Sequence, residues 1–340
     1  MELVKVALDA MGGDNAPGAI VQGAIEAVKA REELFVYLVG QTEAIKAELN
    51  KYSGYDEKRV EIVEAPDIIT NDEAPVDAIR HKDNSSVVKA LYLVKNGQAD
   101  AIVSAGSTGA LLVGGQLIIG RIKGVRRSPL APLIPTLDGV SLLLDCGANV
   151  DAKAVDLVQF AKMGSIYMEN IMGVKNPKIG LVNIGVEEEK GNALVKETYP
   201  MLKNSNDINF IGSVESREIP YGAADVIVTE AFVGNVIIKL YEGVAGALLK
   251  RVKEGFKSTP VSMMGAALAK PALKKTLKGF SIKEYGGAPM LGLKALVVKS
   301  HGNSDYVEIK NSLIQCIDFK KQRINEKIEE NISANSEVSK

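Results

Sequence analysis

Short apolar runs, each stopping at a polar or glycine-rich loop that opens a helical pattern, recur along the chain, and this alternation constrains the fold most. The runs predict strands at Val4–Leu8, Phe35–Val39, Val60–Val63, Ala101–Ser104, Ser141–Asp145, Ile179–Asn183, Asn209–Ile211, Val226–Thr229 and Ala295–Lys299. Apolar residues at helical spacing predict helices at Ala19–Ala30, Thr42–Leu49, Val87–Lys95, Ala110–Ile119, Ala154–Ile171, Ala193–Lys203 and Asn235–Lys257. Strands alternating with helices form a mostly parallel, doubly wound α/β sheet. Trp is absent and aromatics are 5%, so Val, Ile, Leu and Ala must fill the core, as suits buried parallel strands. A chain of 340 residues admits one large domain or two smaller ones. No repeat or linker is visible, and the chain reads as a single domain, 1–340. The polar stretch after Lys320 reads as a surface helix that frays beyond Asn331.

A net charge of −1 leaves no global attraction for nucleic acid, so no nucleic-acid partner is expected. Cys146 and Cys316 lie far apart without metal spacing, which suits a reduced, cytoplasmic protein. The first apolar strand follows no basic leader, so no secretory signal is expected, and no segment approaches the roughly 20 apolar residues of a membrane span.

The chemistry gathers at the predicted strand ends, where open α/β sheets bind ligands. The first loop, Asp9-Ala-Met-Gly12-Gly13-Asp14-Asn15-Ala-Pro17, joins a strand to a helix start. Two glycines let a ligand approach the main chain, and the helix N-terminus favours an anion. The loop reads equally as an ordinary βα turn, since its spacing is neither a dinucleotide fingerprint nor a P-loop. Ser104-Ala-Gly-Ser107-Thr108-Gly109 also precedes a helix and offers hydroxyls and amides. Further such loops begin at Asp145, Asn183, Thr229, Glu284 and His301. Candidate cations are Arg80 and Lys82, just ahead of Ser85 and Ser86, and Lys190 in a glycine-flanked loop; the first pair also reads as a solvated helix start. His301 is either a general acid–base or a partner for a backbone carbonyl. Asp9, Asp14, Asp145 and Asp151 form no compact metal motif, and neither a metal nor a cofactor is expected.

Asn235–Lys257 and the residues after it read as a helical hairpin over 235–280. Positions 258 to 269 are uncharged, while nine basic residues and one acid, Glu254, lie between Lys250 and Lys283. The hairpin reads as a solvated projection, a dimer interface, or a peripheral contact with anionic membrane through about 258–278.

These residues resemble the bacterial phosphate acyltransferases of the PlsX family. The likeness runs through Leu8-Asp-Ala-Met-Gly-Gly-Asp14, Ser104-Ala-Gly-Ser-Thr-Gly-Ala-Leu111, Asp145-Cys-Gly-Ala-Asn149, Asn183-Ile-Gly185, Phe210-Ile-Gly-Ser-Val-Glu215, Gly234-Asn235, Tyr285-Gly-Gly-Ala-Pro289 and His301-Gly302, over roughly residues 1 to 320. Asn15 stands where the family usually has His, Ser107 where Asn is usual, and Glu230-Ala231 where Asp-Gly is usual. The resemblance implies a three-layer αβα sandwich related to phosphotransacetylases and isopropylmalate dehydrogenases. It implies a cytoplasmic homodimer at the inner face of the membrane that moves a fatty acyl group from acyl carrier protein to inorganic phosphate. The acyl phosphate would feed a membrane glycerol-3-phosphate acyltransferase in phospholipid synthesis.

On that chemistry, Asp9, Gly12, Gly13, Asp14, Asn15, Ser86, Ser107 and Thr108 are the expected phosphate site, with charge from Lys82 or Lys190. Asn183 or Asn235 would polarise the thioester carbonyl, and His301 would protonate the leaving thiolate. A coenzyme A-dependent phosphotransacetylase, a nicotinamide dehydrogenase of related fold and a non-enzymatic membrane scaffold are the alternatives.

Overall fold

The computed structural model describes residues 2–279 and 282–338. Residue 280, the expected end of the hairpin, lies outside them. In order, the chain forms β1 (Val4–Asp9), α1 (Gly18–Ala30), β2 (Leu34–Gly40), α2 (Thr42–Leu49), β3 (Val60–Glu64), α3 (Pro75–His81), α4 (Ser86–Lys95), β4 (Ala101–Ser104) and α5 (Thr108–Gly114). It continues through β5 (Leu133–Thr136), β6 (Gly139–Leu144), α6 (Ala154–Asn170), β7 (Lys178–Asn183), α7 (Ala193–Lys203), β8 (Asn209–Glu215) and β9 (Val226–Val228). It ends with α8 (Ala231–Phe256), α9 (Pro260–Gly279), β10 (Ala288–Met290), β11 (Leu296–Lys299), α10 (Tyr306–Lys321) and α11 (Ile324–Val338).

Where the sequence suggested one domain, the chain divides into two compact units. The first comprises Met1–Pro132, Lys162–Lys175 and Lys283–Lys340; the second comprises Leu133–Ala161 and Asn176–Ile282. The expected mostly parallel αβα architecture is present, with the strands shared between two sheets rather than one. The first unit holds the order β10-β11-β4-β1-β2-β3, the second β5-β6-β9-β7-β8. Every pairing is parallel except β10 with β11 and β5 with β6. Those two antiparallel strands escaped the sequence reading for one reason. Each carries a proline, Pro135 or Pro289, and proline is tolerated at a sheet edge, where both lie.

In the first unit, Val6, Ala7 and Leu8 of β1 are completely buried, as are Ile102 and Val103 of β4. Helices α1 and α10 pack on each other and on the sheet, while α4 packs on β1, β2 and β4. Right-handed crossovers from β1 to β2 and from β3 back to β4 put α1 and α4 on opposite faces. Helix α10 was not expected because its buried positions include Glu308, Ser312 and Gln315, which dilute the apolar period. The predicted helix at Ala110–Ile119 is α5 followed by one π-helical turn, Gly115–Ile119.

In the second unit, Ile134, Leu143, Cys146, Val214, Ile219, Ala224 and Ile227 form a core against which Ile237 and Ile238 of α8 pack. The hairpin helices are α8 and α9. Contrary to the sequence expectation, α8 is long and apolar enough to span a membrane by length and composition. It begins four residues earlier than the periodicity indicated, because the Glu230 carboxylate accepts the N–H groups of Phe232 at 2.6 Å and Val233 at 2.9 Å.

Candidate active site

In the first unit, the loops after β1, β4 and β11 meet at the carboxyl edge of the sheet. Asp9 ends β1 and is buried. Its carboxylate accepts the Ser104 hydroxyl at 2.7 Å and the Met11 N–H at 3.2 Å. Burial pushes this carboxyl above its ordinary range, against the lowering effect of hydrogen bonds from Ser86, Ser104, Met11 and Gly12.

Around Asp9 the backbones approach closely. A Cβ on Gly12 would lie 2.5 Å from Asp9 Oδ2 and 2.6 Å from the Gly106 nitrogen. Gly13 has φ +97°, and a Cβ there would lie 2.9 Å from both the Ala105 Cβ and the Gly302 oxygen. The Asp14 N–H donates to the Gly302 carbonyl at 2.7 Å, fastening the first loop to the His301 loop. Ser107 caps α5, its hydroxyl accepting the Ala110 N–H at 3.4 Å, and Thr108 is the exposed first residue of that helix.

The structure thus brings together Asp9, Gly12, Gly13, Asp14, Asn15, Ser86, Ser107, Thr108 and His301. It engages two of the expected anion ligands elsewhere. The Asn15 amide donates to the carbonyls of Asn303 and Ser304, both at 3.1 Å, so it holds the loops together. Lys82 Nζ sits 2.6 Å from Glu73 Oε2 and donates to the Ile68 carbonyl at 3.0 Å. His301 is exposed. Its Nδ1 accepts the Asn303 N–H at 3.4 Å, which in the neutral ring puts the proton on Nε2, and its own N–H donates to Glu308 at 2.9 Å.

Lys299, the last residue of β11, was missed by the sequence reading. Its ammonium donates to the carbonyls of Ala105, at 3.2 Å, and Ser300. Burial lowers its pKa to about 8, opposed by the charges of Glu308, Asp9 and Asp14. A lysine closing an otherwise apolar strand immediately before Ser300-His301-Gly302 was the available signal.

In the second unit, Asn183 ends β7 and is buried. Its amide donates to the Lys190 carbonyl at 3.2 Å and to Ser213 Oγ at 3.1 Å, while its oxygen accepts the Ile184 N–H at 2.8 Å. These bonds occupy the group that was to polarise a carbonyl, so Asn183 shapes the loop. Lys190 pairs with Glu187 at 2.9 Å. Asn235, in the second turn of α8, has no hydrogen-bond partner among the described residues; its Nδ2 lies 3.2 Å from where a Cβ on Gly147 would sit. A Cβ on Gly234 would collide with the Asp145 carbonyl oxygen, so glycine seats α8 against the loop after β6. Cys146 is buried, which pushes its thiol up to about 12 and removes it as a nucleophile. Among the described residues no three His, Cys, Asp or Glu side chains gather as a metal centre.

Glycine-lined strand ends on mostly parallel sheets define an α/β protein of the class that binds ligands beyond the carboxyl ends of its strands. A family model described as "Fatty acid synthesis protein" matches residues 4–327, and the chain belongs to that family. A phosphate acyltransferase of Clostridium novyi is 47% identical over 329 residues, covering 97% of this chain and 98% of that one. A phosphate acyltransferase of Clostridium acetobutylicum is 49% identical over 323 residues, covering 95% and 97%. Among solved structures, a phosphotransacetylase from Streptococcus pyogenes shares the fold with a TM-score of 0.59 at 17% identity, covering 94% of each chain.

Proposed function

We propose that this protein transfers a fatty acyl group from acyl carrier protein to inorganic phosphate, giving an acyl phosphate for phospholipid synthesis. The observation that carries the reading is the cradle where the loops after β1, β4 and β11 meet, its main chain kept bare because Gly12 and Gly13 pack directly against Asp9, Ala105, Gly106 and Gly302. It lies beside the start of α5, whose first N–H groups have no acceptor within the helix. We assign phosphate to this cradle. Lys299 supplies a positive charge near the Asp9 carboxyl.

In the reaction a phosphate oxygen attacks the thioester carbonyl. A carbon–oxygen bond forms, the carbon–sulfur bond breaks, and the thiolate leaves. The developing oxyanion requires a hydrogen-bond donor. The thiolate requires a proton, a role assigned to His301 Nε2. Phosphate is already ionised at neutral pH, so no strong base is called for.

The hairpin supports a peripheral, cytoplasmic placement and a homodimer as further parts of the proposal. Val261, Met263, Met264 and Leu268 of α9 are exposed, as are Leu240, Val244 and Leu248 of α8. Lys250, Lys253, Lys257, Lys270, Lys274 and Lys275 beside them are exposed, and suit an anionic membrane or an acidic carrier protein. An acyl phosphate released there would reach a membrane glycerol-3-phosphate acyltransferase. A second reading, with coenzyme A as the thiol carrier, is favoured by the phosphotransacetylase likeness.

The test is hydroxylamine trapping of acyl phosphate from palmitoyl thioesters of carrier protein and of coenzyme A, at matched concentrations. Phosphate-dependent hydroxamate formed faster from the carrier protein is expected. A faster reaction with coenzyme A would favour the second reading, and no product from either thioester would reject acyl transfer.

A further inference from the structure

Asp9 belongs to the expected phosphate site, yet its surroundings in the first unit turn it away from a ligand. It is 2% exposed, and both of its oxygens are occupied. Oδ1 accepts the Met11 N–H at 3.2 Å, and Oδ2 accepts the Ser104 hydroxyl at 2.7 Å. Gly12 and Ser86 add further hydrogen bonds to the same carboxyl. An ionised carboxylate only accepts, so it has no proton to offer a phosphate oxygen. Ser86, also 2% exposed, is turned on Asp9 rather than on the cradle.

What Asp9 holds is the main chain of two loops. Met11 and Gly12 lie in the loop after β1. Ser104 ends β4, and its oxygen in turn accepts the Gly106 N–H at 3.0 Å. A hydroxyl has one proton, so with Gly106 donating to it Ser104 must donate to Asp9. The Gly106 N–H, the Ser104 hydroxyl and the Asp9 carboxylate thus form one directed chain from the second loop to the first. At its end the two backbones touch: a Cβ on Gly12 would lie 2.6 Å from the Gly106 nitrogen. Flanking that contact, the N–H groups of Gly13, Ser107 and Thr108 make no hydrogen bond among the described residues. We propose that Asp9 is a positioning residue for phosphate. It does not touch the anion; through Ser104 it sets the spacing of the two loops whose free N–H groups bind it. This rests on the acyltransferase reading, with phosphate at the cradle, and changes the part that Asp9 and Ser86 play there.

The test compares wild type, Asp9→Asn, Ser104→Ala and the double variant, by hydroxylamine trapping with palmitoyl-acyl carrier protein while inorganic phosphate is varied. Asparagine keeps the shape of Asp9 but replaces one acceptor by a donor. Ser104→Ala only deletes an oxygen, and it carries the test by itself should Asp9→Asn not fold. The half-saturating phosphate concentration is expected to rise about tenfold or more in each single variant, while kcat at saturating phosphate and the half-saturating thioester concentration stay near wild type. The double variant is expected to be no worse than the worse single one, because both act through one bond. An unchanged phosphate dependence in Ser104→Ala, a kcat loss in Asp9→Asn without a change in half-saturating phosphate, or effects that multiply in the double variant would each overturn this proposal and leave the acyltransferase reading standing. No phosphate-dependent hydroxamate from wild type overturns the acyltransferase reading, and this proposal with it.

Discussion

A Cβ on Gly12 would stand 2.5 Å from the Oδ2 of Asp9, so the loop backbone packs against the carboxylate with no room for a side chain at position 12. The neighbour on the other side is the Gly106 backbone, at 2.6 Å, which has no flexible end to swing away. Gly12→Ala must therefore push the first loop off the carboxyl edge. A loss of about 1–3 kcal/mol is expected in urea unfolding, in the range of overpacked sites. Unchanged stability would mean that the loop yields freely and that its closeness to Asp9 is incidental.

Gly234 makes the corresponding contact in the second unit. Alanine is normally better than glycine inside a helix by roughly 1 kcal/mol. Here its Cβ would meet the Asp145 carbonyl oxygen, so the sign should reverse. Gly234→Ala is expected to lower the unfolding midpoint, whereas Gly243→Ala, with open space at its Cβ, should raise it or leave it unchanged. Equal shifts for the two variants would reject close packing as the reason for glycine at 234.

Asn183 and Asn235 are both amides at the second sheet's edge, but their surroundings separate them. Asn183→Ala removes three hydrogen bonds from a buried residue and is expected to cost about 1–3 kcal/mol of stability. Asn235→Ala, which removes no side-chain hydrogen bond among the described residues, should leave stability nearly unchanged. Chemical denaturation of both variants checks this, and equal losses would mean that the three Asn183 bonds contribute nothing of their own.

Lys299 gives a pH signature. Its folded pKa of about 8 lies below the ordinary lysine value of 10.5, so between these values the unfolded chain binds more protons than the folded one. Stability contributed through this group therefore rises with pH across that window, and below it the burial penalty is constant. Urea unfolding at pH 7.5, 9 and 10 (about the range that brackets the shift) should show wild type gaining relative to Lys299→Met. A flat difference would mean that the ammonium is not buried in solution.

The strand ends were readable because glycine, serine and asparagine interrupt the apolar runs at the points where a buried strand must give way to a turn. Asp9, Gly12, Gly13, Ser104 and Ser107 were found that way. The edge strands Leu133–Thr136 and Ala288–Met290 were not, because a single pairing side and an internal proline weaken the strand signal. Tyr306–Lys321 was hidden by a partly polar buried face. The candidate cations show the deeper limit. Sequence marks Lys82 and Lys190 by their loops, but only geometry reveals that Glu73 and Glu187 already hold them, and that Lys299 sits against the Ala105 carbonyl.

The most direct measurement is phosphorus NMR of wild type and Gly12→Ala turning over a long-chain acyl carrier protein thioester in buffered inorganic phosphate. An acyl phosphate resonance that saturates with phosphate is expected, with a half-saturating phosphate concentration raised about tenfold or more in the variant, since misplacing a clamped reactant weakens its productive binding. Thiol release without a phosphorus product, or the same half-saturation in both proteins, would contradict phosphate transfer at the Gly12–Gly13 cradle.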